Sequence, residues 1–95
     1  MDARRCRTGY VWREAYPGDY VCVDPGQRDQ AAADNAAAAS RVDPNGAYGP
    51  NTCVQGYVWR VARPEDLVCV EPWVRDRVAA DNAAADERVQ SGRID

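Results

Sequence analysis

One pattern occurs twice in this chain without a gap. Residues 6–42 and 53–89 both read C-x-x-GYVWR-x-A-x-P-x-D-x-VCV-[DE]-P-x-x-RD-x-x-AADNAAA-x-x-RV. The offset is constant: Cys53 minus Cys6 is 47, and Asn82 minus Asn35 is 47. A gapless self-match means one structural unit copied, so the fold question becomes what one unit is and how two share a core. A unit of roughly 45 residues is near the size at which a core alone no longer suffices and covalent staples or a partner become usual.

The four Cys fall at matched positions, Cys6 with Cys53 and Cys22 with Cys69. Four Cys allow three pairings. The repeat favours closure within each unit, Cys6–Cys22 and Cys53–Cys69, each loop of about 15 residues contributing roughly 3 kcal/mol in the chain-entropy model. Four reduced Cys holding zinc is the alternative, but there is no C-x-x-C pair and no His for a mixed site. Disulfides imply an oxidising compartment, so the expected location is secreted or at the cell surface. Met1 leads directly into Asp2, Arg4 and Arg5 with no visible signal peptide; the expectation is that such a segment has been removed.

Within the first unit, residues 9–13 are rich in β-formers, Pro17-Gly18 makes a turn, and residues 20–23 return. Asp24-Pro25 then opens an Ala-rich helix predicted to run to about Arg41. Asp43-Pro44-Asn45-Gly46 stops it. The second unit repeats this, with Glu71-Pro72 opening a helix to about Gln90. The predicted fold class is α+β, a tandem ββα-ββα repeat with two disulfide-stapled β-hairpins covered by two Ala-rich helices. The expected organisation is a flexible N-terminus (1–5), repeat 1 (6–46), a connector (47–52), repeat 2 (53–92) sharing one core with repeat 1, and a C-terminal tail (93–95). An isolated hairpin is marginal, so the halves should lean on each other.

Particular residues stand out against this frame. Trp12 and Trp59 occupy both copies and are expected as core anchors. Asn35 and Asn82 sit mid-helix, where Asn is a poor choice, and are expected to turn inward and bond a hairpin backbone group. Arg28, Asp29, Arg75 and Asp76 lie in the first helical turns. An ion pair within the unit, such as Arg13 with Asp19 or Asp29, is the structural expectation there. Small residues kept in both helices, including Ala32, Ala33 and Ala36, suggest close approach to a broad ring. Trp73, Val74 and Val78 replace Gly26, Gln27 and Ala31. They either close the interface between repeats or form a homodimer seam.

The chemistry of catalysis is sparse. His is absent, which removes the usual acid-base triads and metal–His sites. There is no Walker loop and no GxGxxG. Asp43-Pro44-Asn45-Gly46 lacks the spaced ligands and closing Glu of a calcium loop. A net charge of −3, with every basic residue an Arg, offers no basic face for nucleic acid. No apolar run approaches a membrane span. The chain therefore reads as non-catalytic, with no cofactor and no metal.

The segment GYVWREA…PGD…VCV…P…R, residues 9–28, resembles a repeat found in tandem in predicted secreted proteins of actinobacteria and other high-GC bacteria. The resemblance covers nearly the whole chain, and the all-Arg, Ala-rich composition agrees with it. It implies a modular protein and carries no activity. Unit two departs from it, with Val61 for Glu14 and Glu65 for Gly18. The functional expectation is a small secreted interaction or spacer module binding a protein or a glycan. Tyr16, Tyr20, Tyr48 and Trp73, with Tyr10 and Tyr57 beside them, are the candidate binding residues. The alternative is a secreted protease inhibitor presenting the disulfide-closed hairpin loop 15–19.

Overall fold

A computed structural model describes residues 5–90. Two helices and three small antiparallel ladders form an α+β fold with two ββα-like units. In the first unit β1 (Val11–Trp12) pairs with β2 (Cys22–Val23), Val11 opposite Val23 and Trp12 opposite Cys22. Helix α1 (Pro25–Ala37) follows, then a 3-10 turn (Ala38–Arg41). Next, β3 (Val42–Asp43) pairs across the connector with β4 (Thr52–Cys53). The second unit continues with β5 (Val58–Trp59), β6 (Cys69–Val70), α2 (Pro72–Ala84) and a 3-10 turn (Ala85–Arg88). The disulfides are Cys6–Cys22 and Cys53–Cys69, each with a Cα–Cα distance of 5.6 Å. Each bond closes its own unit.

Two-residue strands supply too few ladder bonds to hold a hairpin by themselves. Beside its disulfide, each one is held by a buried carboxylate. Asp19 accepts from Arg13 Nε (2.7 Å) and Nη2 (3.2 Å), and from the Ala15 (2.9 Å) and Val21 (3.3 Å) amides. Asp66 takes the same four bonds from Arg60, Ala62 and Val68. Both Arg13 and Arg60 are almost fully buried, at 1% and 2% exposure. The residue after each Arg turns the chain into the left-handed region, Glu14 at φ +55° and Val61 at +51°. That turn brings the next amides round onto the carboxylate. For β-branched Val61 this conformation is costly.

The two units then close on each other. The 3-10 turn of each unit packs on the other unit's hairpin. Arg41 Nη1 donates to Asp34 Oδ1 (2.8 Å) and to Cys69 O (3.1 Å). Forty-seven residues on, Arg88 Nη1 donates to Asp81 Oδ1 (2.8 Å) and to Cys22 O (3.2 Å). Val42 pairs with Cys53, and Val89 bridges to Cys6 in the equivalent way. Position 16 meets its own counterpart, the Arg63 guanidinium lying 4.0 Å over the Tyr16 ring. The arrangement is a pseudo-twofold closure in which each repeat completes its neighbour.

Several expectations are corrected. The helices stop being α at Ala37 and Ala84 and tighten into 3-10 turns, short of the predicted ends near Arg41 and Gln90. Neither Asp24 nor Glu71 caps with its side chain; Asp24 instead receives Arg77 Nη2 at 2.7 Å. Ala32, Ala33 and Ala36 are exposed, so no ring packs against them. Their role is helix propensity. Val74 and Val78 are buried with Ala62 and Val70, next to Tyr16, Val58 and Val68. They are therefore not available to a homodimer seam, and only Trp73 is exposed, at 50%. Of the N-terminal stretch expected to be flexible (1–5), residues 1–4 lie outside the described residues, as do 91–92 of repeat 2 and the tail (93–95), while the Arg5 carbonyl accepts the Gln90 amide at 2.6 Å.

Candidate functional site

The candidate binding residues do not converge on one patch. Tyr16 is covered by Arg63. Tyr20 stacks edge-on against Trp12, ring centroids 4.6 Å apart. Trp73 Nε1 reaches Glu71 Oε1 at 3.2 Å on the outer face of α2. Tyr48 is the exception. It is 79% exposed and stands edge-on to Trp59, centroids 6.4 Å apart.

Tyr48 lies on the rim of a groove of about 250 Å³. Thr52, Cys53, Tyr57, Val58, Trp59 and Arg75 line it with Tyr48. Three elements build it, namely the connector, the second hairpin and the start of α2. The connector is fixed by a run of short bonds. Asn45 N reaches Asp43 Oδ1 (3.0 Å), Tyr48 N reaches Thr52 Oγ1 (2.8 Å), and that hydroxyl donates to Gly49 O (2.8 Å). Gly46 approaches Thr52 so closely that a Cβ there would collide with it. Gly49 takes φ +99°, open to glycine at little cost. Trp59 Nε1 donates to Asn51 O at 2.8 Å, which locks the indole against the same turn. Arg41 lies 4.8 Å over the Tyr57 ring.

Trp59, expected as a core anchor, is thus half-buried and lines the groove. Trp12 is also only half-buried. The deep interior belongs to the two Arg–Asp pairs and to Cys22, Val23, Cys69, Val70 and Val74. Asn35 and Asn82 donate to the hairpin carbonyls of Ala15 (2.9 Å) and Ala62 (3.1 Å). Asn82 Oδ1 also accepts Arg13 Nη1 at 2.9 Å, across the repeat boundary. The matching Arg60 Nη1 is buried without a partner among the described residues.

The first-turn charges have separated. Arg28 pairs with Glu14 at 3.2 Å, both side chains exposed. The residue equivalent to Glu14 is Val61, and Arg75 has no side-chain partner among the described residues. Asp29 and Asp76 are exposed. Sequence reasoning missed Asp34 and Asp81, which are each 1% exposed and anchor the closing Arg41 and Arg88. Their signal was an Asp followed seven residues later by Arg in both copies.

Burial pushes the Asp66 carboxyl up, but the Arg60 guanidinium and the Ala62 and Val68 amides outweigh it and hold the group below its ordinary value. Among the described residues no group of three or more His, Cys, Asp or Glu is placed to hold a metal, and no helix is long and apolar enough to cross a membrane. Comparison with protein families, curated proteins and solved structures finds no match.

Proposed function

We propose that this chain is a small, secreted, non-catalytic binding module whose site is the Tyr48–Tyr57–Trp59 groove, and that its ligand is a saccharide. The observation behind this reading is an exposed aromatic side chain held on a rigid connector beside two further rings. A sugar ring offers an apolar C–H face to an aromatic ring and hydroxyls to the polar groups around it. Tyr and Trp suit that division, each with an apolar body and a polar tip. A shallow, open groove suits a chain ligand that enters from the side. The two disulfides and the resemblance to secreted tandem repeats support the extracellular location.

The inhibitor reading gains less support from the geometry. Ala15 and Asp19 of the 15–19 loop are buried, and the loop is folded around its own carboxylate, which leaves Pro17 and Gly18 outward. A bait loop needs a longer extended stretch.

The test is titration of neutral and acidic oligosaccharides, followed by tryptophan fluorescence and calorimetry. Tyr48→Ala should weaken binding about three- to tenfold, the worth of one aromatic contact, with an unchanged melting temperature. Absence of binding to every oligosaccharide, or full affinity in Tyr48→Ala, overturns the reading.

A further inference from the structure

The charge of the ligand can be read from one exchange between the two repeats that bears on the groove. In repeat 1 the helix-start Arg28 is neutralised by Glu14 at 3.2 Å. In repeat 2 the residue at Glu14's position is Val61, and the equivalent Arg75 lines the groove with its guanidinium uncommitted among the described residues. The backbone does not explain the exchange. Glu14 and Val61 take the same left-handed conformation, at φ +55° and +51°, which is harder for a β-branched residue than for Glu. Packing does not explain it either, because Val61 is 40% exposed. What the exchange does is remove the carboxylate that would otherwise occupy Arg75.

We propose that Arg75 is the specificity determinant of the groove and that the ligand is an acidic saccharide, a hexuronate-containing chain. This rests on the saccharide reading above. One sugar ring packs against Tyr48 and Trp59 while Arg75 donates two parallel N–H bonds to the uronate carboxylate. The guanidinium fork matches a carboxylate in that way, and Arg serves this purpose better than Lys. The groove lining brings no carboxylate of its own to compete.

The repeat itself supplies the control. Val61→Glu writes the repeat 1 residue into repeat 2, at a backbone conformation where Glu already stands, and gives Arg75 an internal partner. The fold is kept and the anion site is filled. Arg75→Gln removes the charge directly. The full chain is titrated with oligogalacturonate and with a cello-oligosaccharide of equal length. Wild type should prefer the acidic chain by about tenfold, the worth of a charge-assisted pair. That preference should shrink in about 0.5 M salt. It should vanish in Val61→Glu, with affinity for the neutral chain and the melting temperature unchanged, and in Arg75→Gln, with the melting temperature unchanged. If both chains bind wild type equally, or if either variant keeps the preference, the uronate inference falls while the saccharide reading stands. If neither chain binds, the uronate inference falls, and the saccharide reading falls with it when no other oligosaccharide of the titration binds.

Discussion

At the scale of residues, the hairpins are built around charge. Asp66 has four donors, its partner Arg60 is 2% exposed, and together they occupy the space that an aliphatic pair would fill in a larger protein. A buried ion pair is weak evidence of net stabilisation, but removing one partner leaves the other charge uncompensated. Asp66→Asn should therefore destabilise the chain by about 3–5 kcal/mol in urea unfolding at neutral pH. The pH dependence follows from the direction of the shift. The folded carboxyl titrates below its ordinary value, so between the two values the unfolded chain takes up a proton that the native chain does not. Its contribution is full above the ordinary carboxylate range and is lost as pH falls through the folded value. Wild type should show an acid limb below about pH 4, and Asp66→Asn should flatten part of it. A variant with an unchanged urea midpoint would show that this carboxylate does not organise the loop.

At the scale of elements, the strands, the helix starts and the two staples were legible because each rests on a local signal. β-formers flank Pro17-Gly18, Asp24-Pro25 and Glu71-Pro72 open the helices, and the four Cys share the period of the repeat. The burial of Arg13 and Arg60 was not legible. A charged residue in a strand reads as its outward face, and only the four bonds gathered by each Asp reverse that. The groove was half legible. Tyr48 could be named among the candidate binding residues, but Trp59 looked like core, because its bond to Asn51 depends on a connector whose path no periodicity describes. The early change from α to 3-10 was hidden too, since Ala37 and Ala38 have the same propensity and Arg41 reaching Cys69 O decides the difference. With only two residue pairs in each hairpin ladder, the staple carries much of the element. Replacing Cys53 and Cys69 together by Ser should cost roughly 3 kcal/mol for a loop of this length. That corresponds to a fall of about 10–20 °C in melting temperature for a domain of this size, read by circular dichroism. A shift of a degree or two would mean that the ion pair alone holds the hairpin.

At the scale of the whole molecule, duplication has produced two halves that finish each other. Arg88 is the last residue of the second unit's 3-10 turn, yet its Nη1 donates to Cys22 O of the first hairpin, and its backbone carbonyl accepts the Arg7 amide at 2.8 Å. Arg41 does the same toward Cys69 and Val54, the latter at 2.9 Å. Arg13 crosses in the same sense, to Asn82. Two modules joined only by a linker would unfold independently, because loss of one would remove nothing from the other. Here each hairpin loses a bonded neighbour when the opposite turn lets go, so the two repeats should behave as one cooperative unit. Arg88→Ala should lower the stability of the whole chain by about 2–4 kcal/mol, since it leaves Asp81 buried with less compensation. The tryptophan-fluorescence and far-ultraviolet transitions should remain superimposed. Trp12 reports on the first repeat and Trp59 and Trp73 on the second, so variants that keep Trp12 alone or Trp59 alone resolve the halves. Two separate transitions, with the Trp59 half melting at its original midpoint in Arg88→Ala, would show that the closure is contact without coupling.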